Sequence, residues 1–217
     1  MKSFTLVFCG IFLTLVLSWS GLVFMTHHQL GGLEPVTEYL DPDTGESLRG
    51  EQVYPRVPLG LAEQGKLVYI SEGCVYCHTQ QVRRKGFGSD YERGWGERQS
   101  VPRDYIRQDR VLLGTMRTGP DLMNVGDRPI SASKAWHHRH LYDPRAVNTD
   151  SIMPPFAFLY EKRKIGKSGP SPNAIELNPE FAPEAGYEIV PTQRAEALVA
   201  YLLSLKLGYN LPEAPLE

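Results

Sequence analysis

Glu72-Gly73-Cys74-Val75-Tyr76-Cys77-His78 is the stretch of sequence on which the fold depends. Two cysteines three positions apart, with a histidine directly after the second, form the C-x-x-C-H pattern through which c-type haem is attached. The spacing suits two thioethers on the vinyl groups of one porphyrin, and it holds the histidine beneath the iron as the proximal ligand. The sequence therefore predicts one covalent haem c, attached at Cys74 and Cys77 and ligated by His78.

Two other chemistries use a C-x-x-C pair. A thiol–disulfide protein would carry the pair in a thioredoxin-like βαβ context, which the surrounding sequence does not show. A structural zinc site would require a second pair of ligands, and the remaining cysteine, Cys9, lies in an apolar run. Haem attachment is therefore favoured over both alternatives.

A haem iron needs either a sixth ligand or an open face, and the candidate ligands are Met116, Met123 and Met153. Met153 precedes two prolines that exclude a helix, so its sulfur would lie on a stiff extended loop, as a distal ligand requires. We prefer Met153, with Met123 as the second choice. Ligation by His and Met raises the reduction potential and leaves no open position, which indicates an electron carrier and not a gas-binding protein.

The composition fits one compact domain with additional segments. The chain has 217 residues, of which 41% are hydrophobic, and it contains 20 Gly and 17 Pro. We therefore expect a loop-rich domain built around a large rigid cofactor. The net charge of -2 gives no reason to expect nucleic acid as a partner.

An uncharged apolar run covers residues 3–26. As a helix it would be about 36 Å long, enough to cross a hydrocarbon core of about 30 Å. A cleaved signal peptide would have a shorter apolar region that ends in small residues, whereas this run ends in Val23-Phe24-Met25. We predict a single uncleaved transmembrane anchor over residues 1–28, in contact with membrane lipid. Because Lys2 precedes the run, the positive-inside rule places the N-terminus in the cytoplasm and the haem domain in the periplasm, with the anchor in the inner membrane.

The region after the anchor divides into two parts. Residues 29–58 lack helical periodicity and include the turn sequence Asp41-Pro42-Asp43-Thr44-Gly45, so we expect an extended tether. Residues 59–217 would form the mono-haem domain. The predicted fold is mostly α, with a single N-terminal transmembrane helix followed by a cytochrome c-like haem domain.

Two helices are predicted inside that domain. Residues 59–71 lead into the C-x-x-C-H stretch with apolar side chains at helical spacing. A second helix follows Thr192, which is suited to cap its N-terminus. Gly65 would let the two helices approach closely, near Tyr201.

Residues 117–128 resemble the G-P-x-L…G-x-R segment of small cytochromes c. In that family the proline carbonyl accepts a hydrogen bond from the free nitrogen of the proximal histidine, and the arginine pairs with a haem propionate. The resemblance implies these roles for Pro120 and Arg128. Such an acceptor would fix the tautomer of the histidine, and a guanidinium matches the geometry of a carboxylate.

Longer strings are more specific than C-x-x-C-H. They are residues 72–83, residues 117–122, and Trp136-His137-His138-Arg139-His140-Leu141-Tyr142-Asp143-Pro144-Arg145 with Met153-Pro154-Pro155-Phe156 beyond it. Together they closely resemble the mono-haem subunit II of cbb3-type cytochrome c oxidases, over the anchor and most of residues 54–206. Residues 84–116 and an insert at 162–191 are unlike the best-known members.

The resemblance implies a role in aerobic respiration. The chain would accept an electron from a further c-type cytochrome subunit or from a soluble cytochrome c. It would pass the electron to the haem b of a polytopic haem–copper catalytic subunit, which reduces oxygen to water and pumps protons. The chain itself would be an electron-transfer subunit without a catalytic residue.

Two other carriers share the layout of an anchor and one haem: the cytochrome c subunit of a nitric oxide reductase, and a free-standing membrane-tethered carrier. The Trp-His-x-x-His-Leu and Arg-Thr-Gly-Pro-Asp-Leu strings argue against the first. His137, His138 and His140 could hold a second metal, although hydrogen bonding and docking are the more usual roles of such a cluster. Residues 79–117 carry nine Lys or Arg against five Asp or Glu and could face haem propionates or an acidic partner.

Overall fold

The computed structural model describes residues 2–40 and 47–216 of the chain. Its regular structure consists mainly of helices that are connected by long irregular loops. Small antiparallel strand pairs lie beside the helices. The α-helices and strands of the described residues are α1 (Lys2–Trp19), α2 (Met25–Leu30), β1 (Val36–Leu40), β2 (Ser47–Tyr54), α3 (Leu61–Ser71), α4 (Cys74–Cys77), α5 (Lys134–Tyr142), β3 (Tyr160–Lys164), β4 (Tyr187–Pro191) and α6 (Gln193–Ser204).

A continuous helical rod forms the N-terminal region. A π-helical segment (Ser20–Phe24) joins α1 to α2, so the backbone stays helical as far as Leu30. The helix Ser3–Leu30 has a mean hydropathy of 2.2 and none of it is buried against the rest of the chain. A rod of this kind rises about 1.5 Å per residue, so it is long and apolar enough to cross a membrane.

A strand pair follows the rod. β1 and β2 run antiparallel, with Val36 opposite Tyr54 and an irregularity in register between Val36 and Glu38. The Tyr54 ring lies 4.6 Å from the ring of Tyr209, which attaches the end of β2 to the domain. The interpretation of residues 29–58 as a tether did not include these strands, and its turn at Asp41-Pro42-Asp43-Thr44-Gly45 lies outside the described residues.

The helices α3 and α6 cross at Gly65, as predicted. A Cβ atom at this position would lie 1.8 Å from the carbonyl oxygen of Ala197 and 2.7 Å from Cβ of Tyr201, so only glycine permits the approach. The predicted cap of α6 is also confirmed, because the Thr192 hydroxyl accepts a hydrogen bond from the Ala195 N–H at 3.3 Å.

The main hydrophobic core lies where α3, α5 and α6 meet the β3–β4 pair. Its most deeply buried members include Tyr69, Leu112, Leu159, Ala195, Leu198, Val199 and Tyr201. The insert at 162–191 covers one side of this core, since Ile175 and Leu177 pack against it and the Ile175 N–H bonds to the Ile189 carbonyl at 2.9 Å. Half-buried Cys74 and Met153 pack against the same core.

Candidate functional site

The two cysteines of the C-x-x-C-H stretch lie at the two ends of the single turn α4. Gly73 precedes the turn with φ of +76°, a left-handed conformation that glycine adopts without strain. His78 follows the turn with extended backbone angles. Both thiols are free, with Cys77 exposed and Cys74 half-buried. Two unpaired thiols and an imidazole therefore leave the chain within five consecutive residues.

The environment of Cys74 argues against thiol–disulfide exchange. Burial, with smaller contributions from the neighbouring Glu72 and Cys77, raises the pKa of the Cys74 thiol to about 12. Exchange requires a thiolate, and redox-active C-x-x-C pairs lower the pKa of the attacking cysteine. The thiol of Cys74 is therefore poorly suited to that chemistry, and nothing about it conflicts with a thioether.

The side chain of His78 is held from two sides. Its Nδ1 donates to the carbonyl oxygen of Pro120 at 2.7 Å. Gly119 packs against the ring, because a Cβ atom there would lie 2.3 Å from Cε1 of His78. Burial lowers the pKa of His78, which favours the neutral imidazole that metals bind. The structure thus brings Pro120 to His78 as the resemblance implied, and it leaves Nε2 for an iron.

The three candidate distal methionines lie in different surroundings. Met153 packs, half-buried, against the core that also contacts Cys74. Met123 is 6% exposed and belongs to a separate small cluster with Val82 and Leu207, so it serves the packing there. Met116 is 56% exposed. Of the three methionines, Met153 is the one that packs against the same hydrophobic core as Cys74.

The Arg128 side chain is half-buried and bonds to backbone carbonyls of the domain. One of its terminal nitrogens donates to the carbonyl oxygens of Trp95, at 3.2 Å, and of Asp121. Its Nε is buried and has no hydrogen-bond partner within the described residues. Burial lowers the pKa of Arg128 to about 10. A cavity of about 410 Å³, also lined by Lys85 and Glu97, opens beside this guanidinium.

The surroundings of the three histidines of α5 favour their neutral, unprotonated form. Burial lowers the pKa of His137, His138 and His140 to about 4 in each case. Nδ1 of His138 lies 3.1 Å from the Tyr160 hydroxyl, and His140 stacks on Trp136 with ring centres 4.7 Å apart. Across the described ranges, no group of three or more His, Cys, Asp or Glu side chains is placed to hold a metal ion. Hydrogen bonding and ring packing are the contacts that these histidines make.

Several buried polar atoms lack a hydrogen-bond partner in the part of the chain that the structure describes. They are Arg128 Nε, Arg139 Nε, the ring nitrogens His137 Nε2, His138 Nε2 and His140 Nδ1, and the Tyr69 hydroxyl. Buried polar atoms in folded proteins are nearly always paired. Burial is the main cause of the lowered pKa of both His140 and His78, and smaller electrostatic contributions come from His78 to His140 and from Arg128 to His78. A haem brings two propionate carboxylates, which are acceptors that such donors need. The thiols, the oriented imidazole and the free donors therefore fit a covalently attached haem.

A buried network of Asp and Arg side chains beside the site was missed from the sequence. Arg117 donates to both carboxylate oxygens of Asp90, at 2.8 and 2.9 Å, and Arg83 donates to the same carboxylate. Arg117 also lies 3.4 Å from Asp121. Part of the positive charge predicted for residues 79–117 is therefore neutralised inside the domain. The available signal was that Asp121 directly follows Pro120, in the segment that the resemblance to small cytochromes c places beside the proximal histidine.

The two free thiols and the oriented imidazole have the features of a haem-binding site. Residues 42–196 match the family described as cytochrome C oxidase, mono-heme subunit/FixO. Because the match covers well over half of the 217 residues, the chain belongs to this family. The resemblance noted from the sequence strings is thereby confirmed, and membership implies one haem and a complex with the catalytic subunit of the oxidase. A search of curated proteins returned no match.

Proposed function

We propose that the chain is the membrane-anchored mono-haem c-type cytochrome of a cbb3-type terminal oxidase. It relays electrons from a c-type cytochrome, either a further subunit or a soluble protein, to the haem b of the polytopic haem–copper subunit. Family membership supports the assignment to a cytochrome c oxidase. The cbb3 type is supported by the Trp-His-x-x-His-Leu and Arg-Thr-Gly-Pro-Asp-Leu strings at residues 136–141 and 117–122.

The observation that carries the proposal is the hydrogen bond from His78 Nδ1 to the Pro120 carbonyl. A ligand imidazole commonly donates its second nitrogen to a fixed acceptor, which sets the tautomer and leaves the other nitrogen for the metal. Here the imidazole directly follows two free thiols at C-x-x-C-H spacing. These are the groups that covalent attachment and proximal ligation require.

The residues have distinct roles in this proposal. Cys74 and Cys77 would hold the porphyrin as thioethers, and His78 and Met153 would ligate the iron. When bound, a haem with His and Met ligands supplies a one-electron couple of raised potential. Met153, fixed by the prolines that follow it, would exclude exogenous ligands from the sixth position. Arg128 would offer its free Nε to a propionate.

The N-terminal helix supports attachment to a membrane, because Ser3–Leu30 is long and apolar enough to span one. We propose a single-pass anchor in the inner membrane, with Lys2 on the cytoplasmic side and the haem domain in the periplasm. This orientation would place the carrier on the side from which a periplasmic cytochrome c can approach.

Covalent attachment is tested by haem staining of the full-length chain after denaturing electrophoresis. We expect a stained band from the unmodified chain, and no stained band from a variant carrying both Cys74→Ser and Cys77→Ser. The matched control is Cys9→Ser, because Cys9 lies exposed on the apolar helix and should leave staining intact. An unstained band from the unmodified chain would remove the haem assignment.

The complex is tested by extraction from native membranes in mild detergent, followed by identification of the subunits that co-migrate. We expect a polytopic subunit with haem b and copper, together with oxygen uptake. A haem–iron partner without copper would instead assign the chain to nitric oxide reduction. Migration of the chain alone, with its haem intact, would contradict the oxidase assignment and leave a tethered carrier.

A further inference from the structure

Two segments of chain run side by side at the imidazole of His78. The Gly119 N–H bonds to the Cys77 carbonyl at 2.9 Å, and the Leu122 N–H bonds to the Thr79 carbonyl at 2.8 Å. We call residues 77–81 and 119–123 together the proximal ladder. The bond from His78 to Pro120 lies between these two backbone bonds. The position of the acceptor carbonyl is therefore set by how firmly the ladder is held.

The carboxylate of Asp121 is the group that ties the two segments of the proximal ladder together. It is 0% exposed. One oxygen accepts from the Thr79 hydroxyl at 2.6 Å and from the Gln81 N–H at 2.7 Å, and the other accepts from the Met123 N–H at 2.8 Å. Thr79 directly follows the ligand, and Asp121 directly follows the acceptor. The carboxylate thus closes a ring that contains the His78–Pro120 bond.

The same residue also reaches the candidate propionate contact. The backbone carbonyl of Asp121 accepts a hydrogen bond from the Arg128 guanidinium. Arg117 lies 3.4 Å from its carboxylate and is itself anchored on Asp90. One buried acidic residue therefore connects the proximal acceptor, the residue after the ligand, and Arg128.

We propose that Asp121 is the positioning residue of the haem site: its carboxylate holds the Pro120 carbonyl against His78 and places a buried negative charge near the iron. This inference rests on the proposed haem attachment at His78. It goes beyond the assignment of Pro120, because it names the side chain that sets where that carbonyl lies. Asp121 would act only through its neighbours.

The proposal predicts the direction in which the reduction potential changes when Asp121 is replaced. A histidine that donates to a firmly held carbonyl is a more basic ligand, and a more basic ligand favours the oxidised iron. A negative charge in a low-dielectric interior also favours the oxidised iron, which carries one more positive charge. Asp121→Asn removes the charge and loosens the ladder, and both effects raise the reduction potential.

The test is a redox titration of the haem absorption in the purified full-length protein within its complex. For Asp121→Asn we expect the ratio of reduced to oxidised haem at a fixed ambient potential to rise about tenfold, which corresponds to about 59 mV for a one-electron couple. The matched control is Asp104→Asn, which neutralises an equally buried carboxylate bound to Arg98. We expect that control to lower the unfolding midpoint and to leave the potential unchanged.

A second pair of variants covers the case in which Asp121→Asn does not accumulate. Thr79→Val deletes the closest donor to the carboxylate, and Thr79→Ser retains it. We expect the potential of the Val variant to differ from that of the unmodified protein, and the Ser variant to restore it. An unchanged potential in Asp121→Asn, or in Thr79→Val where only that variant folds, would overturn the inference. A chain without covalent haem would instead overturn the proposed function, so the two failures are distinguishable.

Discussion

Asp121 and Asp104 are two buried carboxylates of the same domain whose negative charges are bound by different kinds of partner. The Asp121 network consists of Asp121, Thr79, Gln81, Met123 and Arg117, and it binds mostly through hydroxyl and backbone N–H donors. The Asp104 network consists of Asp104, Arg98, Val101 and Tyr209, and its carboxylate receives a two-pronged contact from Arg98 at 2.7 and 3.0 Å. Arg98 also donates to the Tyr209 carbonyl at 2.9 Å, and this bond attaches the C-terminal segment to the loop that contains Arg98 and Asp104.

The difference indicates that the Asp121 network belongs to the haem site, whereas the Asp104 network serves the stability of the domain. The Asp121 carboxylate bonds to Thr79, Gln81 and Met123, all of which belong to the proximal ladder around His78. The Asp104 carboxylate bonds to Arg98, Val101 and Tyr209, and none of these three residues belongs to the ladder. We therefore expect perturbation of the Asp104 network to change the free energy of unfolding, whereas perturbation of the Asp121 network also changes the haem potential.

The largest expected effect is that of Arg98→Met, which breaks the Asp104 network. Arg98 is 1% exposed, so its removal leaves the Asp104 carboxylate buried without a cation. Breaking such a pair costs about 3–5 kcal/mol. The measurement is denaturant unfolding of the full-length chain in detergent, together with the redox titration.

Arg103→Met is the matched control, since Arg103 pairs with the exposed Glu213. Pairs of that kind contribute about 0–1 kcal/mol. Equal losses from the two variants would show that the Asp104 network has no special role in stability. A shifted potential in Arg98→Met would remove the distinction between the two networks.

The next effect comes from Gly65→Ala at the crossing of α3 and α6. The new Cβ would overlap the Ala197 carbonyl, so the helices must separate, at a cost of about 1–3 kcal/mol. Thermal unfolding checks this, with Gly32→Ala as the control because a Cβ atom there meets nothing within 4 Å. If both substitutions left the midpoint unchanged, the close crossing would not exist in solution.

Local signals made much of the site predictable. The C-x-x-C-H spacing placed two thiols and an imidazole on one turn, and the residue types at Gly65 and Thr192 marked a helix crossing and a helix cap. The His78–Pro120 bond followed from the resemblance of residues 117–128 to small cytochromes c. Each of these features depends on a few residues close together in the sequence.

The rest of the fold and site depends on contacts between residues far apart in the sequence, and the spacing of residue types along the chain does not reveal such contacts. β3 reads Tyr-Glu-Lys-Arg-Lys and exposes four of its five side chains, so it has no alternating pattern to reveal a strand. The bonds of Asp121 to Thr79 and Gln81 join residues about forty positions apart. Nothing local distinguishes Asp121 from a surface carboxylate except its place directly after Pro120.

Asp90→Asn is expected to have a smaller effect that depends on pH. Although burial raises the pKa of the Asp90 carboxyl, hydrogen bonds from Arg117 and Arg83 lower it more, and the pKa lies below its ordinary value. A lowered folded-state pKa contributes stability above the unfolded pKa of about 3.9, and that stability is lost as pH falls through the folded pKa. We expect the variant to be about 1–3 kcal/mol less stable at pH 7.

The measurement is a series of unfolding curves from pH 7 down to acid. The gap between the variant and the unmodified protein should narrow below about pH 4, as the native carboxyl takes up its proton. A gap that stays constant through the acid range would contradict the charged pairing. Because Asp90 is joined to Asp121 indirectly, through Arg117, we also expect a smaller shift in haem potential than for Asp121→Asn.

The smallest effect is that of Thr192→Ala, which lies in neither network. The Thr192 hydroxyl accepts from the Ala195 N–H and donates to the Leu159 carbonyl at 2.7 Å, so it caps α6 and joins the helix to the turn before β3. Loss of such a cap costs about 1 kcal/mol, and Thr192→Ser should recover most of it because serine keeps the hydroxyl. Thermal unfolding resolves the difference between the two variants. If Thr192→Ala changed the haem potential as well, α6 would transmit packing changes to the iron, and stability and potential could no longer be assigned to separate carboxylates.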